Sequence, residues 1–224
     1  MITTVCKDVE RFQPQRWDHI VGNQQLKEYF WDMIWCVRKE GHRSGFNLLT
    51  TGESRCGKTA TVSFGVKCLG CYDLDFETMN PCGKCANCTM NHHLYGNEGW
   101  EGFADWLSEE EAPTPIRYHY MPIDCTRLSE SDLEDCLTKI RISDDNLRII
   151  YLDEVHRLSR RFMDERLLKP IEDYPAIWIA SSANVRKDDV DDTSKLDKMF
   201  QNRFSFRINI QKPSVDELTE WLAK

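Results

Sequence analysis

At 224 residues, with 41% hydrophobic and 29% charged side chains, the chain is long enough for one good core, or one domain plus a small appendage. Its formal net charge of −8 argues against a whole-surface nucleic-acid binder but allows charge segregated by face. No apolar stretch approaches membrane-spanning length, and "MITTVCKDVERFQPQRW" has no basic start followed by an apolar run, so the default is a reducing cytoplasm with no membrane partner. In that compartment clustered cysteines favour metal ligation over disulfides.

The first periodic segment, "NQQLKEYFWDMIWCVRKEG", predicts an amphipathic helix. Leu26, Phe30, Met33, Ile34 and Val37 recur at helical spacing and Gly41 stops it. "FNLLTTG" (46–52) predicts a buried strand and "KTATVSFGVKCL" a helix. "YHYMPID" (118–124) reads as a strand, then "SESDLEDCLTKI" as a serine-capped helix. "LRIIYLDE" (147–154) is a continuous apolar strand ending in acid. "LSRRFMDERLLKPIED" is a helix opened by Ser159. "AIWIASSAN" (176–184) and "FSFRINI" (204–210) are further strands, and "QKPSVDELTEWLAK" begins a last helix. Strands alternating with helices predict an α/β fold, a five-stranded parallel sheet covered on both faces.

"GESRCGKT", Gly52 to Thr59, fits G-x-x-x-x-G-K-[ST] between a predicted strand and a predicted helix. Gly52 and Gly57 let the backbone curl. The N–H groups of the loop through Glu53, Ser54, Arg55 and Cys56 then turn inward toward phosphate oxygens, with Ala60 following at the helix start. Lys58 reaches the β and γ phosphates of ATP, and the Thr59 hydroxyl ligates Mg²⁺. A chance match in a Gly/Lys loop would lack the strand before and the helix after. "IIYLDEVH" supplies the partner: Asp153 holds Mg²⁺ and Glu154 polarises the attacking water, at the carboxyl end of an apolar strand.

Cys82, Cys85 and Cys88 form C-x-x-C-x-x-C, three-quarters of a tetrahedral structural zinc site. The sequence alone leaves Cys68, Cys71, His92 and His93 open as the fourth ligand. A polar loop of this kind buries too little surface to order itself, so zinc would hold it as a rigid knob on the surface. Cys6, Cys36, Cys56, Cys125 and Cys136 have no ligand spacing; Cys56 sits inside the phosphate loop, open to oxidation, and the others read as small packed side chains.

With these motifs in view, the chain resembles an AAA+ ATPase. "GESRCGKT", "IIYLDEVHRLS" and "IASSAN" occur in that family's order, and "NRF" closes the core. More narrowly it resembles the zinc-containing gamma/tau motor subunits of bacterial clamp loaders, through "WDHIVGNQQL", "PCGKCANC", "LDEVHRLS" and "LLKPIEDYP". The resemblance implies Cys71 as the first zinc ligand and Ser182 as the sensor 1 residue, with Asn184 as its alternative. It implies Arg203 as a finger reaching a neighbouring subunit's site, and Val21 and Gly22 as lining the adenine pocket. It further implies a core over 1–211, a zinc module at 68–92, an acidic insert at 93–117, and at 212–224 the start of a helical lid that is absent or truncated. "NRF" departs from the Ser-Arg-Cys of clamp loaders, and the acidic insert is longer than theirs.

The expected function is an ATP-hydrolysing motor or switch subunit. It would work in a ring or spiral with copies of itself or related subunits, loading a sliding clamp on primed DNA. The DNA-contact candidates are Arg160 and Arg161, within a basic stretch that includes Arg157 and Arg166, and Arg127, which follows the second strand. The competing reading of that stretch is a solvated helix face with Arg–Asp pairs such as Arg161 with Asp164. The competing function is a nucleotide-gated assembly module, or a regulator from a phage or mobile element.

Overall fold

The computed structural model describes residues 13–42, 44–89, 118–127, 129–140, 147–183, 196 and 198–223. Among the described residues, five strands form one parallel sheet: β1 Leu48–Gly52, β2 Tyr118–Asp124, β3 Leu147–Asp153, β4 Ala176–Ala183 and β5 Phe206–Ile210. Their spatial order is β2-β3-β4-β1-β5, every pairing parallel. The helices are α1 Gln24–Trp35, α2 Lys58–Gly70, α3 Ala86–Thr89 and α4 Glu130–Ile140. They continue with α5 Arg160–Phe162, α6 Leu168–Asp173, α7 Lys198–Gln201 and α8 Val215–Leu222.

The sheet is apolar on both faces, and strand alternation sorts its side chains into two cores. Tyr118, Tyr120, Ile149, Tyr151, Ile177 and Ile179 pack toward α1 and α2. Met121, Ile123, Ile150, Leu152, Trp178 and Ala180 pack toward α4, α5, α6 and α7. α1 fits its predicted pattern, with Leu26, Phe30, Met33 and Ile34 fully buried. It runs into a π-helical turn, Cys36–Glu40, and ends at Gly41 with φ +72°. Between α5 and α6 lies a second π-helical turn, Met163–Leu167, and Ser159 caps α5 by accepting from Phe162 N–H at 3.1 Å.

Two strands begin later than their sequence pattern suggests, β1 at Leu48 and β5 at Phe206. Asn47 accounts for both starts. Its Oδ1 accepts from Trp178 N–H at 3.0 Å and its carbonyl accepts from Phe206 N–H at 3.0 Å, so its side chain takes a backbone's place at the sheet end. Residues 90–117, where the acidic insert falls, lie outside the described residues, as does Asn184. No described helix is long and apolar enough to cross a membrane.

Candidate nucleotide site and cysteine cluster

The loop from Gly52 to Gly57 joins β1 to α2 at the carboxyl edge of the sheet. Gly52 is required by close approach: a Cβ there would sit 2.3 Å from the Ile210 carbonyl oxygen of β5. Arg55 at φ +64° and Gly57 at φ +88° turn the loop back on itself. The Lys58 side chain lies inside the curl, 5% exposed, and its Nζ donates to the carbonyls of Gly52 at 2.9 Å and Glu53 at 2.7 Å. The Cys56 thiol donates to the same Glu53 carbonyl at 2.9 Å. The ammonium is thus held by loop oxygens, which a phosphate's oxygens can replace at Nζ.

Thr59, in the first turn of α2, donates from Oγ1 to Asp153 Oδ2 at 2.9 Å. Asp153 closes β3. Its other oxygen, Oδ1, accepts from Tyr151 at 2.9 Å and from the Ser181 hydroxyl. Ser181 Oγ in turn accepts from Glu154 N–H at 3.1 Å. One carboxylate therefore gathers hydroxyls from α2, β3 and β4. Charge-assisted bonds of this type are the stronger ones, so the gathering fixes the carboxylate's position. Glu154 follows at φ +55°, a left-handed position for a non-glycine residue and a strained one. Burial pushes its carboxyl pKa up, and the neighbouring Asp153 charge adds to the rise.

Strand parity separates the two serines of "IASSAN". Ser181 shares the Asp153 face, whereas Ser182 points to the opposite one, where its Oγ lies 3.4 Å from His156 Nδ1. The resemblance singles out Ser182; the residue that touches Asp153 is Ser181. Tyr151 and Ser181 escape a motif search because the phosphate-site pattern ends at the acids. Counting back two residues from Asp153, and applying the same parity to β4, points to both.

Val21 and Gly22 precede α1. Gly22 lies beside α8, where an added Cβ would sit 3.4 Å from Glu217 Oε1. Around it, Gln211 N–H donates to Asn23 Oδ1 at 3.2 Å, Trp221 Nε1 to the Asp18 carbonyl at 2.7 Å, and Lys212 pairs with Glu53 at 2.5 Å. The segment after β5 is thereby tied both to the stretch before α1 and to the phosphate loop.

Arg203 Nε lies 2.9 Å from Glu172 Oε1, an ion pair within the chain that is not aligned as a hydrogen bond. The DNA candidates are paired as well: Arg127 with Asp124 at 3.1 Å, Arg160 with Asp164 at 3.7 Å and Arg161 with Glu165 at 3.1 Å. Asp164 thus pairs with Arg160, four residues before it, and Arg161 with Glu165. Arg166 reaches across to Glu134 at 3.1 Å.

The sulfur atoms of Cys71, Cys82, Cys85 and Cys88 all lie within 4.8 Å of one another. Cys68 is buried outside that cluster, and His92 and His93 fall outside the described residues. A zinc–sulfur bond of about 2.3 Å implies sulfurs about 3.8 Å apart in a tetrahedron. Cys82 and Cys88 are 3.9 Å apart. Backbone N–H groups of Cys82 and Cys85 point at Cys71 Sγ and Cys82 Sγ, at 3.2 Å and 3.4 Å. The Cys88 thiol, donating to Cys71, draws the Cys71 pKa down to about 5 and has its own pushed up. A dication would favour the thiolate at all four, so the donor set fits zinc.

The cysteine module is not the surface knob that its polarity suggests. Cys71, Leu74, Met79 and Cys88 belong to the same core as α1 and α2. Trp17 Nε1 donates to the Met79 carbonyl at 2.7 Å, Trp17 N–H to Asn80 Oδ1 at 2.9 Å, and Arg38 to the Cys71 carbonyl at 2.8 Å. Asn87 donates to the Lys67 carbonyl at 2.9 Å and accepts from the Tyr118 hydroxyl. The apolar residues between the cysteines make the difference, because they give the loop a buried face.

No protein-family model and no curated protein matches the sequence. Solved structures do. Thermotoga maritima RuvB, described as a Holliday junction branch migration motor, superposes with a TM-score of 0.52 at 16% identity, covering 94% of this chain and 52% of that one. A variant of the same RuvB gives 0.55 at 16% identity, covering 95% and 53%. The chain spans about half the length of these structures. Sheet order, loop placement and this superposition agree: the chain has the fold of RuvB, with a four-cysteine cluster packed against its core.

Proposed function

We propose that the chain is an Mg²⁺-dependent ATPase subunit that works as a motor or switch in an assembly of copies of itself or relatives. The observation that carries the reading is the junction of Thr59 with Asp153 at the mouth of a phosphate loop, with Glu154 one residue on. In this reading the loop amides and Lys58 bind the phosphates. Thr59 and Asp153 hold Mg²⁺, which neutralises phosphate charge when bound. Glu154 orients and polarises water. Ser181 and Tyr151 fix Asp153 in place, Ser182 in β4 is the sensor candidate, and Asn184 is its alternative. Val21 and Gly22 line the adenine side, with α8 as the first helix of a lid beside them. Arg203 leaves Glu172 to reach a neighbour's site, where such a finger is worth about 10³ to 10⁵ in rate. Zinc at the four cysteines is structural.

DNA is the proposed substrate of the assembly. The clamp-loader resemblance and the RuvB likeness support it from different sides. The exposed pairs that hold Arg127, Arg160 and Arg161 are worth only about 0.2–1 kcal/mol each, so phosphates can displace their acids. The test is ATP turnover against protein concentration, without DNA, with primed DNA and with a four-way junction, alongside Arg203→Ala. Turnover that rises with concentration, responds to DNA and collapses in the variant supports the reading. The preferred DNA then separates clamp loading from branch migration. ATP binding with flat, near-zero turnover would replace it with a nucleotide-gated assembly module.

A further inference from the structure

The His156 imidazole lies between Glu154 and the end of β4. Its Nε2 is 3.3 Å from Glu154 Oε2, and its Nδ1 receives the Ala183 backbone N–H at 3.3 Å with Ser182 Oγ at 3.4 Å. The ring side chain is only 11% exposed. It is carried on the short 3₁₀ turn Val155–Arg157, which the left-handed Glu154 starts. An N–H that donates into Nδ1 requires a lone pair there. The ring's proton therefore sits on Nε2, the nitrogen that faces Glu154 Oε2 at 3.3 Å.

We infer that His156 is a positioning residue for Glu154, holding its carboxylate through Nε2–H while Nδ1 anchors the ring to Ala183 at the end of β4. The inference deepens the ATPase reading, because Glu154 is the group assigned to water. Among the described residues His156 contacts the Glu154 carboxylate from a buried ring that the Ala183 N–H and Ser182 Oγ hold on its other side. Through the ring, any movement of the β4 end at Ser182 and Ala183 moves the Glu154 carboxylate. Ser182 therefore acts on Glu154 by way of His156, although it faces away from Asp153.

The test uses three His156 variants, one Glu154 variant and two readouts. His156→Asn keeps an acceptor near Ala183 N–H but falls short of Glu154. His156→Gln presents an amide N–H near the place of Nε2. His156→Ala does neither. The expected result is a kcat lower by about 10- to 100-fold in the Asn and Ala variants, with ATP affinity unchanged and kcat largely restored in Gln. Equal losses in Asn and Gln, tracking their melting temperatures, would reduce His156 to packing and overturn the inference. The second readout needs no turnover. Long-range ¹H–¹⁵N spectra of the nucleotide-free protein should show His156 protonated on Nε2 alone, and Glu154→Gln should shift that resonance. A ring protonated on Nδ1, or an Nε2–H indifferent to Glu154→Gln, overturns the inference whatever the kinetics. A wild-type chain that turns over no ATP but shows the expected ring state sinks the ATPase reading and leaves the contact standing.

Discussion

Thr59 Oγ1 and Asp153 Oδ2, 94 residues apart in sequence, meet at 2.9 Å, while Tyr151 and Ser181 hold the other Asp153 oxygen. Removing the acceptor takes a shared partner from three hydroxyls, although Tyr151 retains its 3.3 Å bond to Thr59 Oγ1, and unmade buried hydrogen bonds cost about 1–3 kcal/mol. Asp153→Ala should therefore lower nucleotide-free stability by about that amount in denaturant melts, and should abolish the Mg²⁺ dependence of ATP binding. Tyr151→Phe keeps the ring and loses one donor, so about 1 kcal/mol is expected. An Asp153→Ala protein as stable as wild type would show that the carboxylate is not the organiser described.

Gly65 lies in the middle of α2, where alanine ordinarily favours a helix by about 1 kcal/mol. Packing reverses the sign. A Cβ at Gly65 would sit 2.3 Å from the Phe30 ring, and Phe30 is fully buried against Trp17 and Tyr29 with nowhere to move. Gly65→Ala should destabilise by about 1–3 kcal/mol, as overpacking does. A thermal melt settles it: a raised Tm would mean that α1 and α2 are less closely packed than their side chains indicate.

Most of the fold was legible because the central strands β3 and β4 carry long apolar runs and the longer helices a 3.6 period or a cap. Ser159 and Gly41 fall where their residue types belong. The phosphate loop was legible because its glycines and lysine are spaced by backbone geometry. Long-range placement was not. Nothing local in "PCGKCANC" announces that Met79 and Asn80 receive Trp17, so the module read as a knob when it is part of the core. Nor does "SSAN" say which serine faces Asp153; only strand parity does. The partners of Arg160 and Arg161 follow helix spacing, which the sequence contained and a search for basic patches passes over.

The burial of the cysteine cluster changes what metal removal should do. Cys71 directly follows α2, and α2 carries Thr59 at its other end. Loss of zinc should therefore unfold more than the loop. Cys85→Ser, or a strong chelator, should lower zinc from about one per chain to near zero and shift the main cooperative transition, by several kcal/mol where the site is fully lost. Metal analysis alongside calorimetry checks both. Zinc unchanged in Cys85→Ser would remove that ligand. Zinc lost with the main transition unmoved would restore the knob.

α8 is held by a reciprocal cap: Glu217 N–H donates to Ser214 Oγ at 3.2 Å, and Ser214 N–H donates to Glu217 Oε2 at 2.7 Å. The Ser214 backbone bond, then its side chain, draws the Glu217 pKa below the usual glutamate value. A carboxyl with a depressed folded pKa binds its proton less readily when folded. Its contribution is therefore fully present above the unfolded pKa, about 4.3, and fades as pH falls through the lower folded one. The opposite end of the helix carries Trp221, whose indole donates to the Asp18 carbonyl. On acidification below about pH 4.3, α8 should loosen from its first turn, seen as faster exchange of the Trp221 indole proton. Glu217→Ala should show fast exchange already at neutral pH and no further change on acidification in that window. A wild-type indole that exchanges at one rate across the window would mean that packing against residues 17–22, and not the cap, holds α8 in place.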